Sequence, residues 1–205
     1  NKDYPQDIAF RYYGTKITYG KFFEKVEQTA KAFWAMGVRA GDIVTIMSMH
    51  IPETIYALYG LNYIGAVANM VYMTLSEKEI LHTLEHTESK LFLVLDTALD
   101  RINKIRNQIK IPVVVLSVAD SMCLYMRVGY WIKKDKIIDR GYIRFSEFIH
   151  EQKQLRDISI ATDAHKLAVI VYTSGTTGEP KGVMLSSYNI NALIFQFRTS
   201  GFHFG

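Results

Sequence analysis

Disulfide bonds, a strong net charge and a secretion signal are all missing from this sequence. Its 205 residues contain a single cysteine, Cys123, which excludes a disulfide framework and is typical of the reducing cytosol. The 24 basic and 20 acidic residues are too nearly balanced to indicate a nucleic-acid partner. The polar start, residues 1–7, lacks the pattern of a signal peptide. We therefore expect a cytoplasmic globular protein without a nucleic-acid partner.

Charge is also absent from residues 54–76, a stretch long enough to cross a bilayer. However, Gly60, Asn62, Gly65 and Asn69 interrupt it, and it divides into two shorter elements. We interpret it as a buried helix followed by a strand, and we expect no transmembrane segment.

The remaining pattern is an alternation of strands and helices. Short apolar runs predict strands at residues 43–47, 66–72, 91–95, 112–116 and 167–171. Caps and helical spacing predict helices from about Thr18 to Gly37, Pro52 to Ile64, Ser76 to Glu88, Leu99 to Ile109, Ser146 to Glu151 and Tyr188 to Thr199. This alternation predicts an α/β fold with a mainly parallel sheet flanked by helices.

Two segments allow a second interpretation. Between Asp120 and Arg144 the alternation stops, and basic and aromatic residues there could bind an anionic ligand or a membrane surface; we favour a solvated insertion. His82 and His86 match a zinc-protease pattern, but the apolar stripe of their helix lies on the opposite side. We therefore predict solvent-facing histidines, no metal site and, since no nucleophile–base pair can be assembled, no catalytic residue.

The most informative stretch is Tyr172-Thr-Ser-Gly-Thr-Thr-Gly-Glu-Pro-Lys181-Gly182, which lies between the strand at 167–171 and a second short strand at 183–186. Its glycines let the backbone approach a ligand closely, and successive N–H groups in such a turn form an anion-binding concavity. Its hydroxyl residues add donors, and its lysine adds a positive charge. We predict a phosphate-binding loop formed by Thr173, Ser174, Gly175, Thr176, Thr177, Gly178 and Lys181.

This loop is not a Walker A motif. Gly178 is followed by Glu179 and Pro180, and Lys181 is followed by Gly182 instead of a hydroxyl residue that could hold Mg²⁺. A Ser/Thr/Gly-rich surface turn is the alternative interpretation. The strand before the loop and the Pro-Lys-Gly exit favour phosphate binding.

At these residues the chain resembles the adenylate-forming superfamily, which includes acyl-CoA synthetases, firefly luciferase and peptide-synthetase adenylation domains. The stretch from Thr173 to Lys181 matches the phosphate-loop signature of that superfamily. Ile17-Thr18-Tyr19 and Leu61-Asn-Tyr-Ile-Gly65-Ala66-Val67 resemble two of its earlier motifs. The loop with the Val-Met-Leu-Ser that follows it is most similar to fatty acyl-CoA synthetases.

The resemblance implies a ligase that converts ATP and a carboxylic acid into an acyl-adenylate and pyrophosphate. The acyl group would then pass to a thiol, most often that of coenzyme A. It also implies that the loop holds the β- and γ-phosphates and that Mg²⁺ accompanies the nucleotide, with no ligand for the metal identified. Two alternatives remain open: a non-catalytic nucleotide- or phosphate-binding module, and a peptide-synthetase-type adenylation domain that serves a carrier protein.

The chain departs from the family pattern in two ways. Ser187 stands where many members carry a histidine, close to the expected acyl-binding region. The later family motifs are absent, so we interpret residues 1–205 as an N-terminal fragment of an AMP-binding domain that ends just after the phosphate loop. We expect this fragment to be inactive alone and to self-associate, because Phe22, Val26 and Phe33 would lack the cover of the missing half.

Overall fold

The computed structural model describes residues 3–133, 141–150, 158, 160, 161, 163–173 and 181–200. The strands are β1 (Ile8–Tyr12), β2 (Thr15–Thr18), β3 (Ile43–Met47), β4 (Val67–Val71), β5 (Leu91–Leu95), β6 (Val113–Leu116), β7 (Tyr142–Arg144), β8 (Leu167–Thr173) and β9 (Lys181–Ser186). The α-helices are α1 (Tyr19–Ala35), α2 (Pro52–Tyr63), α3 (Glu77–His86), α4 (Leu99–Ile105), α5 (Leu124–Lys133), α6 (Phe145–His150) and α7 (Ser187–Thr199). Short 3₁₀ turns, Asp96–Ala98 and Arg106–Gln108, flank α4.

The main sheet has the strand order β7-β6-β5-β3-β4-β8-β9. Every neighbouring pair from β7 to β8 is parallel, and β9 runs antiparallel to β8. This confirms the predicted parallel sheet. The chain passes from β3 to β4 on one side, then returns across β3 to β5 and β6 on the other. At such a reversal a crevice opens at the carboxyl ends of the strands, and open α/β sheets bind ligands there.

Helices cover both faces of this sheet. In β5, Leu91, Leu93 and Leu95 belong to the apolar cluster formed with α1, α2 and α6, whereas Phe92 and Val94 belong to the cluster formed with α3 and α4. All five side chains are buried. Burial on both faces explains why the strand sequences are continuous apolar runs without polar alternation.

Helix α1 is covered within the described part of the chain. Phe22 and Val26 are buried, and Phe33 is fully enclosed. Phe10 of β1 lies 6.0 Å from the Phe22 ring, and Phe148 of α6 lies 5.2 Å from the Phe33 ring. The expectation that this face of α1 lacks cover is therefore wrong, because the β1–β2 hairpin, α2 and α6 provide it.

The uncharged stretch at residues 54–76 forms most of α2 and all of β4, as predicted. Helix α2 approaches α1 closely at Gly60, where a Cβ would lie 3.1 Å from the backbone N of Ala30 and 3.1 Å from the Thr29 side chain. Gly65 then turns the chain into β4 with a φ of +77°. In the described residues, no helix is both long enough and apolar enough to cross a membrane.

The helix starts follow their local capping signals. The Thr18 hydroxyl accepts a hydrogen bond from the Lys21 N–H and begins α1. Ser76 and Glu79 form a capping box at α3, and Ser186 forms the same reciprocal pair with Asn189 at α7. The cap of α7 is therefore Ser186.

The stretch from Asp120 to Arg144 is more regular than expected. Its first half forms α5, and β7 adds to the sheet beside β6. Two of its aromatic side chains contact the fold: the Tyr130 hydroxyl donates to the Asp96 carboxylate at 3.0 Å, and the Tyr142 hydroxyl donates to Asn103 Oδ1 at 2.7 Å. Three basic residues of this stretch, Lys134, Lys136 and Arg140, lie outside the described residues. Helix α6 begins at Phe145, one residue before the predicted cap Ser146.

The two histidines of α3 face solvent, as predicted. His82 and His86 are both exposed, and their rings stack with centroids 5.6 Å apart. Within the ranges that the structure describes, no group of three histidine, cysteine, aspartate or glutamate side chains is placed to hold a metal ion.

Candidate functional site

The predicted phosphate loop joins the two strands of a hairpin. In the antiparallel pair β8–β9, Thr173 stands directly opposite Lys181. Ser174, Gly175, Thr176, Thr177 and Gly178 lie outside the described residues. The structure thus brings the two ends of the loop together, and the side chains of Thr173 and Lys181 project from the same face of the hairpin. Both residues are exposed.

The hairpin opens at the carboxyl edge of the parallel sheet. Strand β8 is parallel to β4, so the loop after Thr173 leaves the sheet at the edge where β3 to β6 also end. The carboxyl edge is where ligands approach such sheets, because loops and helix starts present backbone N–H groups there. The position of the loop in the fold therefore agrees with phosphate binding.

Contacts that the sequence analysis missed fix the neighbouring backbone. The Tyr72 hydroxyl donates to the Tyr172 carbonyl oxygen at 2.6 Å, which ties the end of β4 to the end of β8. The Arg101 guanidinium donates to the carbonyl oxygens of Met73 and Leu75, both at 2.7 Å. Burial raises the pKa of the Tyr172 phenol, which stays neutral at physiological pH. The only sequence signal for this arrangement was a tyrosine directly after β4.

Ser187 lies at the other end of β9, roughly 17–20 Å along the strand from the loop. Its hydroxyl donates to Asn62 Oδ1 at 3.3 Å, and Asn62 Nδ2 donates to the Ala168 carbonyl oxygen at 3.2 Å. The structure therefore places Ser187 at the junction of α7, α2 and β8, at the amino edge of the sheet.

A second polar site, also missed, lies at the carboxyl ends of β3 and β6. Glu53 lines a cavity of about 480 Å³ there and is 3% exposed. The Ser121 hydroxyl donates to its carboxylate at 2.5 Å. Burial raises the pKa of Glu53 to about 7 and also raises the pKa of Asp120, which lines the same cavity. The sequence analysis assigned no role to Glu53.

Comparison with known proteins supports the resemblance seen in the loop. Residues 1–204 match the family model for AMP-binding enzymes. The chain is 25% identical to a long-chain-fatty-acid–CoA ligase of Bacillus subtilis (strain 168), over 92% of this chain and 35% of that protein. It is 29% identical to the long-chain-fatty-acid–CoA ligase heimdall of Drosophila melanogaster, over 92% of this chain and 27% of that protein.

Solved structures show the same fold. The anthranilate CoA ligase AuaEII in complex with anthranoyl-AMP matches with a TM-score of 0.76 and 20% identity, over 95% of this chain and 35% of that one. ATP-bound MatB from Rhodopseudomonas palustris matches with a TM-score of 0.71 and 21% identity, over 96% of this chain and 36% of that one. The chain thus spans about a third of the length of these relatives.

Proposed function

Because the chain belongs to the family of AMP-binding enzymes, we propose that it is the amino-terminal part of an acid–CoA ligase that activates a carboxylic acid with ATP. The relatives named above, which are CoA ligases, support this proposal. A non-catalytic phosphate-binding module would share the loop but would not form an adenylate. A peptide-synthetase-type domain would form the adenylate but would deliver the acyl group to a carrier protein instead of coenzyme A.

The observation that carries the proposal is the pairing of Thr173 with Lys181 at the carboxyl edge of the sheet. This pairing holds the two ends of the loop next to each other. Lys181 is exposed, so its ammonium group is accessible to a ligand. We propose that residues 173–181 bind the β- and γ-phosphates of ATP in this concavity.

In the first step, the main task of the protein is to stabilise developing negative charge. A carboxylate oxygen of the acid attacks the α-phosphorus, the bond from that phosphorus to the pyrophosphate oxygen breaks, and negative charge builds on the departing pyrophosphate. Donors that already surround the β- and γ-phosphates stabilise that charge without reorganising. In the second step a thiolate attacks the acyl carbon, and AMP leaves with the bonding electron pair.

Mg²⁺ is expected with the nucleotide. Such an ion usually keeps several waters and binds phosphate oxygens and one or two carboxylates. In the described part of the chain, no group of three histidine, cysteine, aspartate or glutamate side chains is placed to hold a metal ion, and we assign no ligand for Mg²⁺. We assign no step of the reaction to the metal.

We further propose that the acid is a fatty acid. The names of the Bacillus and Drosophila relatives support this choice, although other relatives act on different acids, such as the crotonobetaine/carnitine–CoA ligase of Salmonella enteritidis, 27% identical over 85% of this chain. The test is a panel of short- to long-chain acids with the full-length protein, scored by coenzyme A thioester formation. A preference for aromatic or hydroxylated acids would contradict the fatty-acid proposal and leave adenylate formation intact.

The decisive experiment replaces Lys181 by alanine in the full-length protein. Loss of one charge-assisted contact, worth about 1.5–3 kcal/mol, should raise the KM for ATP and slow adenylation by about ten- to a hundredfold in total. Lys166→Ala is the matched control, because Lys166 is equally exposed but directly precedes the amino end of β8.

Gly178→Val should have a larger effect than Lys181→Ala, because a branched side chain would keep the backbone away from the phosphates. Normal ATP kinetics for both loop variants would show that phosphate binds elsewhere.

A further inference from the structure

The cavity at Glu53 is formed by elements that are far apart in the sequence. It lies between the β1–β2 hairpin, α1, α2, α6 and the turn that follows β6, and its volume of about 480 Å³ is in the range of ligand sites, about 300–1,000 Å³. Strands β6 and β8 are separated by β5, β3 and β4, so the part of the cavity that follows β6 is roughly 19 Å from the β8–β9 hairpin, and the part at β3 is two strand spacings away, about 10 Å.

The base of the cavity is apolar and buried. Ile17, Tyr56, Phe145 and Ile149 line it, and each is less than 8% exposed. Glu53 is the polar group at this depth, and its Oε2 atom is buried without a hydrogen-bond partner among the described residues. A buried carboxylate oxygen that no described donor satisfies is costly unless the group is protonated or a bound molecule contacts it.

The rim of the cavity is cationic. Lys16, Lys21, Lys25 and Arg127 line it, against the two carboxyl groups of Glu53 and Asp120. If the cations served only to neutralise these carboxyl groups, the carboxyl pKa values would be lowered. Instead burial outweighs the nearby positive charge and raises both pKa values. Lys21 pairs with Glu24, which is not part of the lining, at 2.9 Å, and the lining itself carries four cationic side chains against two carboxyl groups.

We propose that this cavity is a binding site for a small organic anion with an apolar body. The body would rest on Ile17, Phe145 and Ile149, and the anionic head would contact the cationic rim. The location supports this function as well, because β3 and β5 flank the point where the strand order of the sheet reverses, and Glu53 follows β3.

The first test uses a probe whose charge can be removed without changing its shape. Benzenesulfonate is titrated into the full chain, labelled with ¹³C at the isoleucine methyl groups, and benzenesulfonamide is the neutral control. We expect saturable shifts at Ile17 and Ile149 with benzenesulfonate, and none at Ile102, which is buried on the opposite face of the sheet. Equal shifts with benzenesulfonamide, or shifts at Ile102 of the same size, would overturn the proposal.

Two substitutions test the rim directly. Lys25→Met and Arg127→Met keep the aliphatic stem and remove the charge, so each should weaken benzenesulfonate binding by about threefold, and the pair by about tenfold, as expected for contacts near the surface. Lys78→Met, exposed on α3, is the control with the same chemical change. Unchanged affinity in the double variant would refute a role for the rim. Arg127 is exposed, so its variant remains informative if Lys25→Met fails to fold.

The pH dependence of benzenesulfonate affinity distinguishes binding in the cavity beside Glu53 from binding to surface lysines alone. Benzenesulfonate keeps its charge between pH 6 and 8, so any change comes from the protein. The charged or titratable groups that surround Glu53 on its neighbouring elements are Tyr12, Lys16, Lys21, Lys25, Tyr56, Asp120 and Arg127. A bound anion favours protonated Glu53, so affinity should rise as the pH falls, and Glu53→Gln should reduce this dependence. Affinity that falls with pH would overturn the placement of the anion beside Glu53.

Discussion

Replacing Glu53 by glutamine should stabilise the protein at neutral and alkaline pH. The carboxyl group is 3% exposed, and its pKa is raised by burial from an ordinary value of 4.5 to about 7. Its ionisation is therefore less favourable in the folded state than in the unfolded state. Glutamine has the same shape and can keep the contact with Ser121, but it carries no charge to desolvate.

The size and sign of the effect follow from proton linkage. Between pH 4.5 and about 7 the folded state holds a proton that the unfolded state releases, so the free energy of unfolding falls as the pH rises through this window and is level above it. At about 1.4 kcal/mol per pKa unit, the loss reaches roughly 3 kcal/mol. For a chain of this length, that corresponds to a Tm that is about 6–12 °C higher in Glu53→Gln at pH 8.

The assay is reversible urea unfolding of the wild type and the variant at pH 5, 6, 7 and 8. Glu24 and Glu79, whose pKa values are lowered from 4.5 by hydrogen bonds from Lys21 and Ser76, change the stability only below this pH range and do so in both proteins. The difference between the two unfolding free energies therefore isolates Glu53. Glu85→Gln removes the same charge from an exposed site on α3 and is the control. The reasoning would be refuted if the difference in the free energy of unfolding between variant and wild type were constant from pH 5 to pH 8. It would also be refuted if the variant were less stable than the wild type at pH 8.

Three further predictions concern packing, association and turnover. Gly60→Val should lower the free energy of unfolding by about 2 kcal/mol or more, because the added atoms meet the backbone of α1, and a variant of wild-type stability would contradict this contact. The 205-residue chain should self-associate through the exposed apolar side chains of β9 and α7, so light scattering should show smaller particles for Phe195→Glu than for the control Tyr125→Glu; equal particle sizes would disprove that surface. The same chain should give no acid-dependent ATP–pyrophosphate exchange above a Lys181→Ala control, because a phosphate loop alone does not orient the acid; clear exchange would place the catalytic groups within these residues.

The parallel sheet was predictable because each of its strands is buried on both faces. Runs such as Leu91–Leu95 are apolar throughout, and the helices between them begin at recognisable caps such as Ser76. These signals are local, so they can be read without knowing what packs against them. The order of the strands in the sheet depends on contacts between distant parts of the chain, so it could be determined only from the structure.

The β1–β2 hairpin and α5 were missed for the opposite reason. Strand β1 is mostly exposed or half-buried, and α5 is largely exposed, so neither shows the apolar pattern of a core element. Their partners are distant in sequence: the Tyr12 hydroxyl donates to the Val118 carbonyl oxygen at 2.9 Å, and Tyr130 contacts Asp96. Missing the hairpin also caused the wrong expectation that α1 lacks cover.

The phosphate loop and the cavity at Glu53 also differ in whether their residues are close together in the sequence. The phosphate loop could be identified because its hydroxyls, glycines and lysine are contiguous, so their proximity follows from the chain itself. The cavity at Glu53 combines residues from β2, α1, α2, α5, α6 and the turn after β6, and none of these segments carries a pattern that indicates a ligand. What makes Glu53 unusual is its burial, and burial is a property of the packed fold. A buried carboxyl group in a cavity lined by more cationic than acidic side chains is therefore the kind of site that only the structure can reveal.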